Sequence, residues 1–154
     1  MREGINALRS IGTLHTLSIN LAGLAEAYAR CGNVNDGLAT VEEVFAMTRA
    51  DGEKFCLPEI HRIKGELLLA RSANDRDAAE AAFGEALSVA RALQAKVLEL
   101  RAAMSMARLW RDQGKRDEAR DLLAPVYGWF TEGFDTLDLK EAKALLDELV
   151  GRFI

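Results

Sequence analysis

Apolar residues recur at steps of three and four along almost the whole chain, the period of an amphipathic helix. In "LSINLAGLAEAYARCG", Leu17, Leu21, Leu24, Ala25 and Tyr28 fall on one face. Gly32 then offers a stop, and Asn33 or Asn35 can cap a second helix. That helix, "DGLATVEEVFAMTRADG", carries Leu38, Val41, Val44, Phe45 and Thr48 on one side and ends at Asp51-Gly52. Two such stretches joined by a short turn predict an antiparallel helix pair.

The arrangement recurs. "EIHRIKGELLLARSA" and "DRDAAEAAFGEALSVARAL" predict a second pair, and "ELRAAMSMARLWRDQG" with "KRDEARDLLAPVYGWF" a third. With Tyr28, Leu68 and Trp110 as equivalent positions, the spacings are 40 and 42 residues. A near-constant period of this size points to an α-solenoid, because one helix pair cannot bury its apolar face alone. Pro58 fits the first turn of its helix, a kink there being the alternative. The "RSANDRD" turn is about two residues longer than its counterparts, which a surface loop tolerates.

Both ends depart from the pattern. Ile5, Leu8 and Ile11 suffice for one helix that has no partner before it. This suggests that Met1 lies inside a longer parent, or that a second subunit covers these residues in a homodimer. At the other end, Asp138 and Glu141 stand at capping-box spacing. Leu139, Ala142, Leu145, Leu146, Leu149, Val150 and Phe153 form one stripe of that last helix. Such a helix caps a solenoid or binds a partner. Between them, "YGWFTEGFDT" concentrates four aromatics, and Gly133 can let the chain leave its helix with positive φ.

The expected architecture is all-α, about eight helices in one helical-repeat domain over 1–154. It divides into a leftover helix (1–12), repeats at 14–52, 53–94 and 95–130, and a capping helix at 136–153. Composition agrees: 49% hydrophobic and 29% charged residues with only two prolines describe a globular helical chain. A net charge of −4 argues against nucleic acid or an anionic membrane as partner. No signal sequence or 18-residue apolar run is visible, so the cytoplasm is the expected location. Cys31 and Cys56, among apolar neighbours, are expected to be small buried side chains and not ligands or a disulfide.

The motifs of catalysis and cofactor binding fail on inspection. "QGKRDEA" has Gly114-Lys115, but Leu109 stands where a phosphate loop needs its first glycine, and Arg116 replaces Ser or Thr. His15 and His61 have no ligand partner at i, i+4, and are expected to be surface or groove residues. No serine or threonine sits in a nucleophile elbow. The expectation is a non-enzyme with no catalytic residue, no metal and no cofactor.

The repeats resemble tetratricopeptide repeats. In the third pair Ala107, Trp110, Gly114 and Ala119 match the pattern; the first matches at Leu24, Ala25, Tyr28 and Gly32, with Gly37 and Val41 in place of Ala and Phe. The second matches at Gly65, Ala79, Phe83 and Ala86. More narrowly, "HRIKGELLLA" and the run from Glu99 to Leu149 are similar to the C-terminal repeat region of bacterial multidomain ATPases related to adenylate and guanylate cyclases. The resemblance implies a right-handed superhelix that serves as an interaction and regulatory region of a signalling protein. It brings no activity, since the cyclase aspartates and the ATPase phosphate loop have no counterpart here.

The tetratricopeptide register also implies a concave wall. Ala22, Glu26, Arg30, Glu59, Arg62, Glu66, Arg101, Met104, Arg108, Arg111 and Asp112 would line it. Arg101, Arg108 and Arg111 share one helix face and could grip carboxylates or phosphates. The reading preferred is that Glu59 and Glu66 of the preceding first helix neutralise them internally. Candidate binding residues are Arg62, Glu66, Leu69, Arg101, Met104, Arg108 and Arg111, with Leu69 and Met104 for apolar contact. The expected partner is a protein or peptide segment, or upstream domains of the parent. The alternatives are an anionic effector in the same groove and self-assembly. The lysine-and-asparagine clamp of chaperone-tail receptors is not matched.

Overall fold

The computed structural model describes residues 14–52 and 54–151, with the side chains of 14–19 and of Asp51 left aside. Every regular element among these residues is helical: α1 (Leu14–Cys31), α2 (Val34–Asp51), α3 (Leu57–Arg71), a 3₁₀ turn (Ala73–Asp75), α4 (Arg76–Ala92), α5 (Lys96–Asp112), α6 (Arg116–Gly128) and α7 (Leu137–Val150). The leading helix expected over 1–12, with Ile5, Leu8 and Ile11, lies outside the described residues, as do His15's side chain and Phe153.

The turns follow from residues that tolerate them. Gly32, Gly52, Gly114 and Gly133 all have positive φ, between 74° and 81°, where a Cβ would be strained. Gly52 closes α2 by donating its N–H to the Thr48 carbonyl. The α4–α5 turn instead places Gln94 at φ 55°, a left-handed residue without glycine. Pro58 sits in the first turn of α3, where its missing N–H has no helical acceptor. The expected cap Asn33 makes no side-chain hydrogen bond to its helix, and Thr136, which precedes α7, makes none to its own.

Each helix packs on its chain neighbours, and α1, α3, α5 and α7 also pack each on the next of that set. The helices α2, α4 and α6 make no such second contact. Two apolar clusters result. One joins Leu21, Leu24, Val41, Val44, Ile60, Ile63 and Leu67; the other runs from Leu68 and Phe83 through Leu100 and Leu123 to Leu145. Leu38 packs against both. Phe83 is fully buried, and burial of such a side chain contributes about 1.5–3 kcal/mol.

Two glycines set helix spacing. A Cβ on Gly65 would lie 2.3 Å from Phe83 Cε1, and one on Gly37 would lie 2.6 Å from Leu67 Cδ2. The absent side chains let the Phe83 ring and the Leu67 branch seat directly on backbone. This is the physical reason that glycine replaces the alanine expected at position 37.

In the aromatic run, Val126 is buried, while Tyr127 and Phe130 pack against the second cluster. Phe134 returns to Tyr127 with ring centroids 6.0 Å apart. Trp129 stays outside at 57% exposure, with Phe130 edge-on at 5.2 Å and Lys96 Nζ 5.6 Å above its ring. The run therefore joins α6 to α7. Two expectations need correction. Cys31, at the end of α1, is exposed because the helix terminates there, whereas Cys56 is buried. Val150 is exposed, its place in the stripe having rotated beyond the face that α7 applies to the core.

Candidate functional site

The helices α1, α3, α5 and α7 present charged side chains along one continuous surface. Arg62 on α3 is the hub: its Nη2 lies 2.6 Å from Glu59 Oε1, one turn back, and its Nη1 lies 3.8 Å from Glu66, one turn on. Across the helix boundary it reaches Glu26 of α1 at 3.9 Å, and Glu26 in turn holds Arg30 at 2.9 Å. Glu59 Oε1 also accepts from Arg101 Nη1 of α5 at 3.1 Å, and Arg101 Nε donates to Asp138 of α7 at 3.1 Å. One chain of charge-assisted hydrogen bonds thus links α3, α5 and α7.

Three further rungs join the same helices. Ser105 donates its hydroxyl to Glu66 Oε1 at 2.8 Å, Arg108 meets Glu141 at 3.4 Å, and Arg111 meets Glu148 at 3.0 Å. Partner numbers rise together on each helix, so α3, α5 and α7 run parallel. Arg116 of α6 also donates to the Glu148 carbonyl oxygen.

Burial works against the charge on Arg62, but the hydrogen bond and charge of Glu59, with Glu66 and Glu26, outweigh it and raise the pKa further. Arg101 behaves likewise: burial and the neighbouring Arg62 lower it, while Glu59 and Asp138 more than compensate. The side chains of Arg62 and Glu59 are only 15% and 16% exposed, so this pair sits largely out of water. Glu59 Oε2 is buried without a protein donor, because three N–H groups converge on Oε1 instead.

Internal neutralisation of the arginines is therefore present, with partners partly different from those expected. Glu59 does pair with Arg101, but Glu66 pairs with Arg62 and Ser105, and Arg108 and Arg111 are held by α7. Asp138 and Glu141 do not form the capping box; both turn to the arginines of α5. Their role escaped the local reading, although Asp138, Glu141 and Glu148 share a face at steps of three and seven, the counterpart of Arg101, Arg108 and Arg111.

The ladder lies in a groove made of three adjoining clefts. The first, about 310 Å³, is bounded by Glu26, Arg30, Arg62 and Glu66; the second, about 150 Å³, by Arg62, Arg101, Met104 and Arg108. The third, about 370 Å³, is bounded by Glu66, Leu69, Arg108 and Arg111. All seven candidate residues thus border one or another of these adjoining clefts. Leu69 is half-buried at its edge, while Met104 is only 3% exposed and offers a floor more than a handle. Arg30 is the contrast, with its side chain 77% exposed.

His61 is in neither the groove nor on open surface. It faces away from Arg62 on α3 and stacks against Phe45 of α2, with ring centroids 4.8 Å apart. Among the described residues no group of His, Cys, Asp or Glu is arranged to hold a metal, and no helix is long and apolar enough to cross a membrane. No family model matches the chain, and no curated protein or solved structure does.

Proposed function

We propose that this chain is a non-catalytic interaction module that holds an extended partner segment in the groove along α1, α3, α5 and α7. Its repeats are tetratricopeptide-like, forming a right-handed array, and its context is the C-terminal region of a bacterial, cytoplasmic, cyclase-related ATPase. The array reading is supported by the stacking of α1, α3, α5 and α7 one on the next, while α2, α4 and α6 touch only chain neighbours. The family context rests on the resemblance of the sequence alone.

The observation that carries the proposal is that the three clefts adjoin: Arg62 lines the first and second, Glu66 the first and third, and Ser105 and Arg108 the second and third. A segment lying there would meet alternating cations and anions, so it would be recognised by a matching alternation and not by one strong charge. Pairing of Arg101, Arg108 and Arg111 with carboxylates disfavours an anionic effector in this groove, because the ligand would have to displace a built-in acid.

Selection from a random peptide display library, followed by methyl NMR of the complex, tests this. Selected peptides should shift the Leu69 and Met104 methyl signals and lose affinity for Arg30→Glu. Peptides that bind while leaving those methyls unmoved would place the interaction elsewhere.

A further inference from the structure

A different surface gathers several basic side chains around a pair of rings. Between α2 and α3 a cleft of about 540 Å³ is lined by Glu42, Phe45, Arg49, Lys54, His61 and Lys64, among others. It exceeds each of the groove clefts in volume. Of its basic residues only Lys64 has a recorded acidic partner among the described residues, Glu42 at 3.6 Å, with Lys64 half-buried and Glu42 exposed. Among its described lining residues Arg49, Lys54 and Lys64 stand against the single acid Glu42, in a chain of net charge −4.

The cleft also has an aromatic wall. Phe45 and His61 stand at 4.8 Å with their planes tilted by 45°, and Lys64 Nζ lies 5.5 Å from the Phe45 centroid. Burial lowers the His61 pKa more than the nearby Glu85 raises it, with Lys64 adding to the lowering, so its imidazole is neutral at pH 7 and can donate as well as accept. Arg49 supplies a planar fork suited to carboxylate or phosphate oxygens. Lys64 lines the same cleft, and its pair with Glu42, at 3.6 Å and partly exposed, contributes little that an anion would have to displace.

We infer that the α2–α3 cleft is a binding site for a small anion carried on a flat ring, the ring against Phe45 and His61 and the anionic group on Arg49 and Lys64. Phosphate and carboxylate share this chemistry, and the probes below distinguish them. The site is separate from the groove, so failure of either leaves the other standing.

The chain has two histidines, so imidazole-labelled protein gives two side-chain signals, and His61→Gln assigns them. Phenyl phosphate and benzoate are titrated separately, with inorganic phosphate and benzyl alcohol as half-ligands. At least one of the two aromatic anions should shift the His61 signal saturably and bind about tenfold more tightly than either half-ligand. Arg49→Ala should weaken that binding by about tenfold, and Lys64→Ala by a comparable factor. Arg30→Ala, in the groove, should leave the titration unchanged. Absence of a saturable His61 shift up to about 10 mM of both aromatic anions overturns the proposal. So does equal affinity for inorganic phosphate, or unchanged binding by a folded Arg49→Ala protein.

Discussion

Arg101 Nη1 on α5 lies 3.1 Å from Glu59 Oε1 on α3, and the same oxygen is already held by Arg62. One carboxylate therefore neutralises two guanidiniums from different helices. A partly buried acid in this position is destabilising to remove, because two cations are then left facing each other. Glu59→Gln should cost about 1–3 kcal/mol, which in a domain of this size is a fall of some 2–4 °C in Tm per kcal/mol. A combined Glu59→Gln, Arg101→Ala protein should show a coupling of about 0.5–3 kcal/mol in denaturant unfolding. Strict additivity would mean that the bond does not form in solution.

The rungs between α5 and α7 are more exposed, and each is worth about 0–1 kcal/mol. Their effect is expected to be local. Arg108→Ala with Arg111→Ala should speed amide exchange within 137–150 while leaving 76–92 unchanged, since α4 has no contact with α7. Uniform protection across both segments would assign α7's attachment wholly to Leu139, Leu145 and Leu149.

Gly65 and Gly84 provide opposite cases of one substitution. Gly65→Ala drives a methyl onto the Phe83 ring and should destabilise by about 1–3 kcal/mol through overpacking. Gly84, in the middle of α4, has nothing within 4 Å of an added Cβ. Gly84→Ala should stabilise by about 0.5–1 kcal/mol, the helix preference of alanine over glycine. Thermal melts of the two proteins side by side read the sign directly.

Acid should act in two windows. Burial, assisted by Lys64, holds the folded His61 below its ordinary 6.5, so the unfolded chain binds the extra proton. Stability from this source is complete above pH 6.5 and declines as pH falls towards the folded pKa. Glu99 shifts the same way for another reason: burial raises it, but hydrogen bonds and charge from Lys96 and Arg91 prevail and bring it below 4.5. Its contribution is present above that value and is lost as pH falls through the folded pKa. His61→Gln should remove the upper slope and keep the lower one. A Tm profile with both slopes intact in that variant would contradict the assignment.

Local chemistry was enough to place the seven described helices. The three-and-four spacing of Leu21, Leu24 and Ala25, or of Leu139, Ala142 and Leu145, depends only on helix geometry, and positive φ at Gly32, Gly52, Gly114 and Gly133 depends only on the missing Cβ. Most of the residues named for one wall from the repeat register do line neighbouring clefts, because a register is a statement about helix faces. What each face meets was not. Asp138 and Glu141 stand at capping spacing within their own helix, yet both pair with arginines of α5 that precede them by 37 and 33 residues. Cys31 and Val150 show the same limit, for an apolar residue at a helix end is buried only if another element covers that end. His61 had no local signal at all: its pairing with Phe45, and the cleft they share with Arg49 and Lys64, arise only when α2 and α3 pack. Periodicity along the chain determined which residues could face inward. Tertiary packing alone decided which of the outward charges neutralise one another, because that depends on distances between helices and not on positions within one.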